Sequence, residues 1–507
     1  MEKTVFRYKK EKRLRYEHAS LYTLGIILLG LSLVMIPSLV WTIYDGDPYE
    51  VFLWPAVFAF VSGLVLVSLV RMPDHVNPLT GLFMLGMVWF VTITFGAIPF
   101  ILAGMAPVDA IFESCSGFTT TGATIMTDIE SWPNGILLWR SMTQWVGGIA
   151  IIIIFLLLMP MVGFGSRNIL ENEMTGSGSG NFSTRMKDAA KQFAIVYIGL
   201  SAIMAILLTF MGIDLLSTLC MTFSSISTGG FLNTADSMAG EIWYVKWVVI
   251  LFMFLGGVNF YLHFRAINNR DITVYFRNKE FTYMLAWFFF VSVVAYALIS
   301  RTNIMGEGPV EEFYHITDMV LMVVSAGTST GFVGDLTLSA WPLSAIMLLF
   351  LISFVGASSG STAGGVKISR IVISLKYLWN GVKQMIYPRG VFDVKIERQS
   401  LDDSVVSSAV VIFLLFMMSV VFGSAVLVAT GLPFLDSVYT SISALCNTGL
   451  GIGAFAESYG EASDFVKVFI TILMWVGRLE ITAALALLTP SFWKEFLIGT
   501  RKRISKL

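Results

Sequence analysis

Four Thr-Gly pairs recur at the ends of short apolar segments, in "FTTTGAT", "SISTGGF", "TSTGFVG" and "CNTGLGIG". Their glycines, Gly122, Gly229, Gly331 and Gly449, stand 107, 102 and 118 residues apart, a near-constant period that marks an internal repeat. Each pair closes an apolar segment of about 13–16 residues, too short to cross a bilayer. These segments lie at 108–121, 214–228, 315–330 and 434–448. The chemistry open to such turns is coordination of a cation. Non-helical backbone at membrane depth is tolerated where it is buried or lines a water-filled path. Converging turns present rings of carbonyl oxygens that can replace a cation's hydration shell. Glycine allows positive φ and close approach to an axis, and a preceding Thr or Ser adds a hydroxyl. Any one turn, taken alone, reads equally well as an extracellular hairpin; four in register favour a shared axis.

Other residues recur in phase. Asp109, Asp318 and Asp436 lie 13 residues before their glycine and Asp214 lies 15 before. Each reads as the N-cap of a short helix whose negative C-terminal end favours a cation at the turn. Ser116, Ser325 and Ser443 lie six before, where the second repeat has Phe223. A later glycine follows at 25 to 28 residues, in "VGG" (146–148), "LGG" (255–257), "VGA" (355–357) and "VGR" (476–478). The unit is thus helix, short re-entrant helix, turn, helix. Two crossings per unit make all four face the same way, which suits a ring rather than an inverted pair.

Two further features carry charge or flexibility at membrane depth. In "VGASSGSTAGGVK" (355–367), glycines and hydroxyl residues are too dense for an unbroken helix. A phosphate loop requires Gly-x4-Gly-Lys-Ser/Thr, whereas here Lys367 follows Gly365 by two and precedes Ile368. Single glycines occupy the matching place in the other three helices, so the expectation is a break in one helix of four. Arg478 sits inside "FITILMWVGRLEITAALALL". A charge at the bilayer centre costs at least about 2.5–3.5 kcal/mol, so it faces the interior or water. The competing reading is an ion pair with Glu480, two residues away and on a different face, or with Glu113.

Only 13% of the 507 residues are charged and 56% are hydrophobic, against about 25% charge in soluble proteins, so the chain is an integral membrane protein. Cys115, Cys220 and Cys446 and the histidines His18, His75, His263 and His315 show no metal or nucleophile–base spacing, which argues against an enzyme. Ten spans are expected, at 21–43, 51–70, 80–104, 136–161, 189–211, 243–263, 281–300, 341–377, 404–430 and 465–489. The basic tail before the first span is not read as a cleavable signal. That tail, "HFRAINNRDITVYFRNK", "VKISRIVISLKYLWNGVK" and "RKRISK" share one side, which predicts cytoplasmic termini.

The four Thr-Gly segments, "WRSMTQWVGG" (139–148), "ENEMTG" (171–176), "SSGSTAGGVK" (358–367) and "WVGRLE" (475–480) closely resemble the Trk/Ktr/HKT superfamily, on its TrkH/TrkG branch. The resemblance implies an all-α integral membrane protein with two N-terminal helices and four M1–pore helix–M2 repeats around a pseudo-fourfold axis. The corresponding division is a basic tail (1–20), a two-helix preamble (21–78), repeat 1 (79–165), a cytoplasmic loop (166–188), repeat 2 (189–270), repeat 3 (271–395, with an intramembrane loop at 356–366) and repeat 4 (396–507). It implies potassium as substrate, with no other cofactor or metal, and a filter built from Thr120-Thr121-Gly122, Ser227-Thr228-Gly229, Ser329-Thr330-Gly331 and Asn447-Thr448-Gly449. Plant HKT relatives that prefer sodium carry serine where Gly122 stands. A gate loop of Gly356, Ser358, Ser359, Gly360, Ser361, Thr362, Gly364, Gly365 and Lys367, and a pore barrier at Arg478, follow from the same resemblance. So do a homodimer in the lipid of a bacterial inner membrane and a separate TrkA/KtrA-like nucleotide-binding ring; no nucleic acid is implied. The loop at 166–191 reads equally as a flexible linker and as a contact for that ring. A sodium- or proton-coupled symporter, which calls for a carboxylate site at the midplane, and a less selective K/Na translocator are the alternatives.

Overall fold

The computed structural model describes residues 16–72, 78–158, 182–302, 308–336, 338–396 and 399–496. The tail before residue 16, most of the loop at 166–188 and the basic C-terminal run lie outside the described residues. Helices dominate. The preamble is α1 (Ala19–Asp45) and α2 (Glu50–Leu69), packed against each other along their length. Side chains such as Leu33, Trp54 and Phe58 stay more than half exposed on them. Apolar exposure on that scale suits hydrocarbon, not water. A two-residue parallel pairing of β1 (Tyr16–Glu17) with β2 (Val70–Arg71) ties the start of α1 to the end of α2.

Four units of like order follow. The first comprises α3 (Pro78–Leu102), the short α4 (Pro107–Phe118) and α5 (Asn134–Leu158). The second comprises α6 (Phe182–Phe210), α7 (Leu215–Ile226), α8 (Trp243–Gly256) and α9 (Phe260–Asn269). After the five-residue α10 (Thr273–Arg277), the third has α11 (Lys279–Ile299), α12 (Pro309–Gly327), α13 (Leu343–Val355) and α14 (Ile368–Ile386). The fourth has α15 (Asp403–Ala429), α16 (Phe434–Leu445), α17 (Asp464–Arg478) and α18 (Ile481–Leu488). Among the described residues six helices are long and apolar enough to span a membrane, and two sharply bent helix pairs are so when taken together. The chain is therefore a multi-pass, all-α membrane protein. Helix α6 begins at Phe182, inside the stretch read from sequence as loop.

The units close into a ring. The helix after each turn packs on its own short helix and on that of the next unit: α5 on α4 and α7, α8 on α7 and α12, α13 on α12 and α16, α17 on α16 and α4. Recurring glycines make these contacts tight, since a methyl on Gly147, Gly256 or Gly477 would strike the Phe118, Ile226 or Leu445 carbonyl at the end of the adjoining short helix. Below this level the units diverge. Helices α8 and α9 meet at 99°, α17 and α18 at 120°, and α13 and α14 are separated by residues 356–367. The expected break in one helix of four is therefore a break in three. Gly257 to Asn259 and Leu479-Glu480 interrupt segments whose mean apolarity gives no warning of it, because a two- or three-residue turn barely alters hydropathy.

Candidate pore and intramembrane loop

Each short helix ends in a turn of common geometry. Thr120, Thr228, Ser329 and Asn447 all have positive φ, between 51° and 57°, and two residues later Gly122, Gly230, Gly331 and Gly449 have φ between 75° and 90°. The residue between donates its N–H back to the helix at 2.8 Å in every case: Thr121 to Ser116, Gly229 to Ser224, Thr330 to Ser325, Thr448 to Ser443. This register differs from the sequence alignment in one unit. The second turn is Thr228–Gly229–Gly230, so Ser227 falls outside it, and Ser224 replaces Phe223 as the in-phase serine. Two successive glycines made both registers available, and the neighbouring units chose between them.

These turns converge. A methyl on Gly122 would strike the Gly229 carbonyl oxygen, one on Gly230 the Thr330 oxygen, one on Gly331 the Thr448 oxygen and one on Gly449 the Thr121 oxygen. The contacts run once around the ring and close on themselves. Positive φ and the lack of room both demand glycine there. Thr120 Oγ1, Thr448 Oγ1 and Asn447 Oδ1 are buried polar atoms on this ring without a protein partner, while Asn447 Nδ2 donates to Thr121 Oγ1 at 3.0 Å. Buried oxygens are rarely left so, and they fit a cation or its water. Among the described residues no group of three His, Cys, Asp or Glu side chains is placed to hold a metal ion.

Charged side chains hold the ring from outside, and sequence reasoning missed most of them. Arg140 is buried and donates to Glu113 Oε1 at 2.7 Å, to Thr124 Oγ1 at 3.1 Å and to the Leu232 carbonyl at 3.0 Å, with Phe231 beneath its guanidinium. Gln144, one helical turn later, donates to the Gly229 carbonyl at 2.6 Å and accepts from Phe231 N–H at 3.0 Å. Both lie in "WRSMTQWVGG", where their i, i+4 spacing was the available signal. Lys246 on α8 reaches Asp318 on α12 at 2.7 Å and also bonds Asp335. Lys467 on α17 reaches Asp109 on α4 at 2.7 Å. The in-phase aspartates are thus not four N-caps. Asp214 alone caps its own helix, through Ser217 N–H, and Asp436 accepts from Ala454 N–H. Outside the membrane segments, Asp335 is held below the usual carboxylate range: burial opposes this, but hydrogen bonds from Lys246 and Gly240 N–H prevail.

Directly beneath the turns lies the glycine-rich loop. Thr362 donates its hydroxyl to the Ile226 and Gly256 carbonyls and receives one from Thr228 Oγ1 at 3.2 Å. Gly364 N–H donates to Ser329 Oγ at 2.6 Å, and a methyl on Gly364 would strike the Cys446 carbonyl. Ser358 N–H reaches the Gly257 carbonyl, Phe260 N–H reaches the Gly360 carbonyl, and Glu280 accepts from Ser359 N–H at 2.6 Å. Ser361 bonds the Ser358 carbonyl, and Gly356, Gly360, Gly365 and Lys367 take positive φ, which folds the segment onto itself. The loop therefore hangs mainly from the second unit, at the α8–α9 bend.

Arg478 meets the loop from the fourth unit. It is buried, donates to the Thr362 carbonyl at 2.9 Å and to the Gly147 carbonyl at 3.4 Å. Neither carboxylate considered for it is its partner: Glu480 pairs with Arg370 at 2.8 Å and Glu113 with Arg140. Its guanidinium thus lies between the loop and the first unit, under the ring of turns.

Comparison with known proteins agrees with this architecture. The family profile described as "TrkH: Cation transport protein" matches residues 80–494. The Trk system potassium uptake protein TrkH of Escherichia coli (strain K12) is 28% identical over 481 residues, covering 93% of this chain and 98% of that protein. The TrkH protein of Halomonas elongata is 30% identical over 493 residues, with the same coverage. The crystal structure of the potassium transporter TrkH from Vibrio parahaemolyticus superposes with a TM-score of 0.85 at 26% identity, over 93% of this chain and 98% of that one.

Proposed function

Because the chain belongs to the TrkH cation transport family, we propose that it takes up potassium ions through the axis on which its four turns converge. The observation that carries this reading is the closed ring of glycine-to-carbonyl contacts, with unpartnered oxygens of Thr120, Asn447 and Thr448 on it. The filter comprises Thr120–Gly122, Thr228–Gly230, Ser329–Gly331 and Asn447–Gly449. Carbonyl oxygens at those positions replace the ion's water. An inside-negative potential of 100 mV supplies about 2.3 kcal/mol per cation, enough to drive accumulation without a second ion.

The loop at 356–367 is the gate and Arg478 the barrier beneath the filter. Support comes from their hydrogen bonds to one another and from the loop's contacts with Thr228 and Ser329. A cytoplasmic nucleotide-binding ring releases the loop by moving α14, and the transporter works as a homodimer in the inner membrane of a bacterium, termini inside. The division of the chain into a preamble (21–78) and repeats at 79–165, 189–270, 271–395 and 396–507 belongs to the same reading. A coupled symporter calls for a carboxylate at the axis, but the buried Glu113 and Asp318 are already ion-paired. Flux in proteoliposomes under imposed potassium and sodium gradients is the test. A reversal potential that follows potassium alone supports the proposal; one that requires a sodium or proton gradient defeats it.

A further inference from the structure

A cleft of about 900 Å³ opens between the third and fourth units, near the upper end of the range of ligand pockets. Its walls are almost wholly aliphatic and aromatic, from α11, α13, α14, α15 and α16. Val355 and Ile368 both line it, and these are the residues where α13 stops and α14 starts. The cleft thus bridges, from outside, the break that the intramembrane loop fills. Wall residues Phe290, Met347 and Leu351 are about half exposed. Phe290 sits on α11, long and apolar enough to cross the membrane, and Met347 and Leu351 on the shorter apolar α13 beside it, so the medium facing the cleft is hydrocarbon.

The end of the cleft remote from the turns is marked by charge. There the wall residue Tyr283 has the Lys376 ammonium 6.0 Å from its ring centre. Lys376 donates to the Lys395 carbonyl at 2.8 Å, and an ammonium has two further N–H donors. An apolar slot ended by a cation matches a molecule with a long hydrocarbon chain and an anionic head. A bilayer supplies that molecule in excess.

We propose that the cleft is a binding site for an anionic phospholipid, one acyl chain lying along the α11–α13–α15 wall and the phosphate meeting Lys376. Charge selects this occupant over a second copy of the chain, whose apolar helix face would leave the ammonium unanswered. Because the walls include both sides of the break, a bound chain favours the present arrangement of α13 and α14 and so holds the loop in place. That last clause rests on the loop being the gate; the binding site does not.

Native mass spectrometry of the purified full chain, titrated with phosphatidylglycerol and phosphatidylcholine of equal chain length, tests the site. The intact chain retains phosphatidylglycerol preferentially, and Lys376→Gln lowers that preference about fivefold. Ala286→Phe, which fills the cleft from an exposed position, abolishes retention of both lipids, and Met347→Trp does the same from the opposite wall. Melting temperatures of both variants separate cleft filling from misfolding. Retention unchanged in both filled variants, or a preference unaltered by Lys376→Gln, overturns the proposal. So does loss of a dimer with lipid retention intact, which would make the cleft a seat for a second copy. Lipid loss with unaltered flux overturns the link to the loop, whereas failure of the gate reading itself appears independently when the loop is deleted.

Discussion

The turns and the level beneath them follow opposite rules. In the ring, four segments of different sequence adopt one backbone path, with the same signs of φ and the same 2.8 Å hydrogen bond at each centre. One layer below, the units part company: α5 carries on from Asn134 to Leu158, α8 and α9 bend by 99°, α13 gives way to a twelve-residue loop, and α17 and α18 bend by 120°. A site that surrounds an ion needs equivalence, because each side must approach the axis equally. On the proposed reading the loop gates the path, and a gate needs the reverse: one element must move while the rest stay put. Even the supports divide this way. Lys–Asp ties join the second unit to the third and the fourth to the first, at opposite interfaces, while Arg140 and Gln144 secure the interface between the first and second.

The sharpest way to break the comparison is to spoil one quarter of the ring. Ala at Gly331 or Gly230 forces a side chain into a left-handed backbone and against a neighbouring carbonyl, and potassium uptake is expected to fall tenfold or more, by about the 1–2 kcal/mol of strain per residue plus the clash. Ser227→Ala should leave potassium uptake nearly intact; a loss equal to that of Gly230→Ala would return the register to Ser227–Thr228–Gly229. Read as stability rather than uptake, Arg140→Ala strands a buried carboxylate and should cost about 3–5 kcal/mol in unfolding measured in detergent. Lys467→Ala should cost less, because Asp109 retains partial access to solvent.

Below the ring the expected sign reverses. Deleting residues 358–364 should raise basal flux several-fold in proteoliposomes, since the hydrogen bonds linking Thr362 to Thr228 and Gly364 to Ser329 disappear. A collapse of flux with the turns intact would identify the loop as a structural kink. Arg478→Gln should raise flux by a smaller factor, measured as single-ion current, and an unchanged current in a folded variant would remove Arg478 from the pathway. The smallest effect concerns pH. The folded carboxyl of Asp335 lies below its ordinary 3.8, so its contribution is complete above that value and is lost as pH falls through the lower folded value. About half of that side chain is exposed, so screening limits the gain to under about 1 kcal/mol. Melting temperature compared between the parent chain and Asp335→Asn across pH 3–6 reads it: the two curves should converge toward the acid end.

Much of this plan was legible in residue order. Hydropathy marked ten spans, against six helices and two bent pairs long and apolar enough among the described residues, while a 102- to 118-residue period marked four turns, each after a segment too short to cross. The in-phase aspartates were visible too, but not their partners. Asp109 and Lys467 lie at opposite ends of the chain, and only ring closure brings them to 2.7 Å. The extra bends at Gly257–Asn259 and Leu479-Glu480 were hidden for a different reason: a break this short leaves an apolar run apolar.

Sequence alone determined the membrane class, the number of units, the sites of the turns and the presence of a charge within the last span. These follow from properties that each residue carries locally, namely its transfer cost and its freedom in φ. Tertiary structure decided which of two glycine registers the second turn adopts, which lysine answers which aspartate, and what Arg478 touches. Gly229 faces Gln144 and Gly230 faces the Thr330 carbonyl, 100 residues away along the chain. Choices of that kind depend on contacts between units, and no local pattern encodes them.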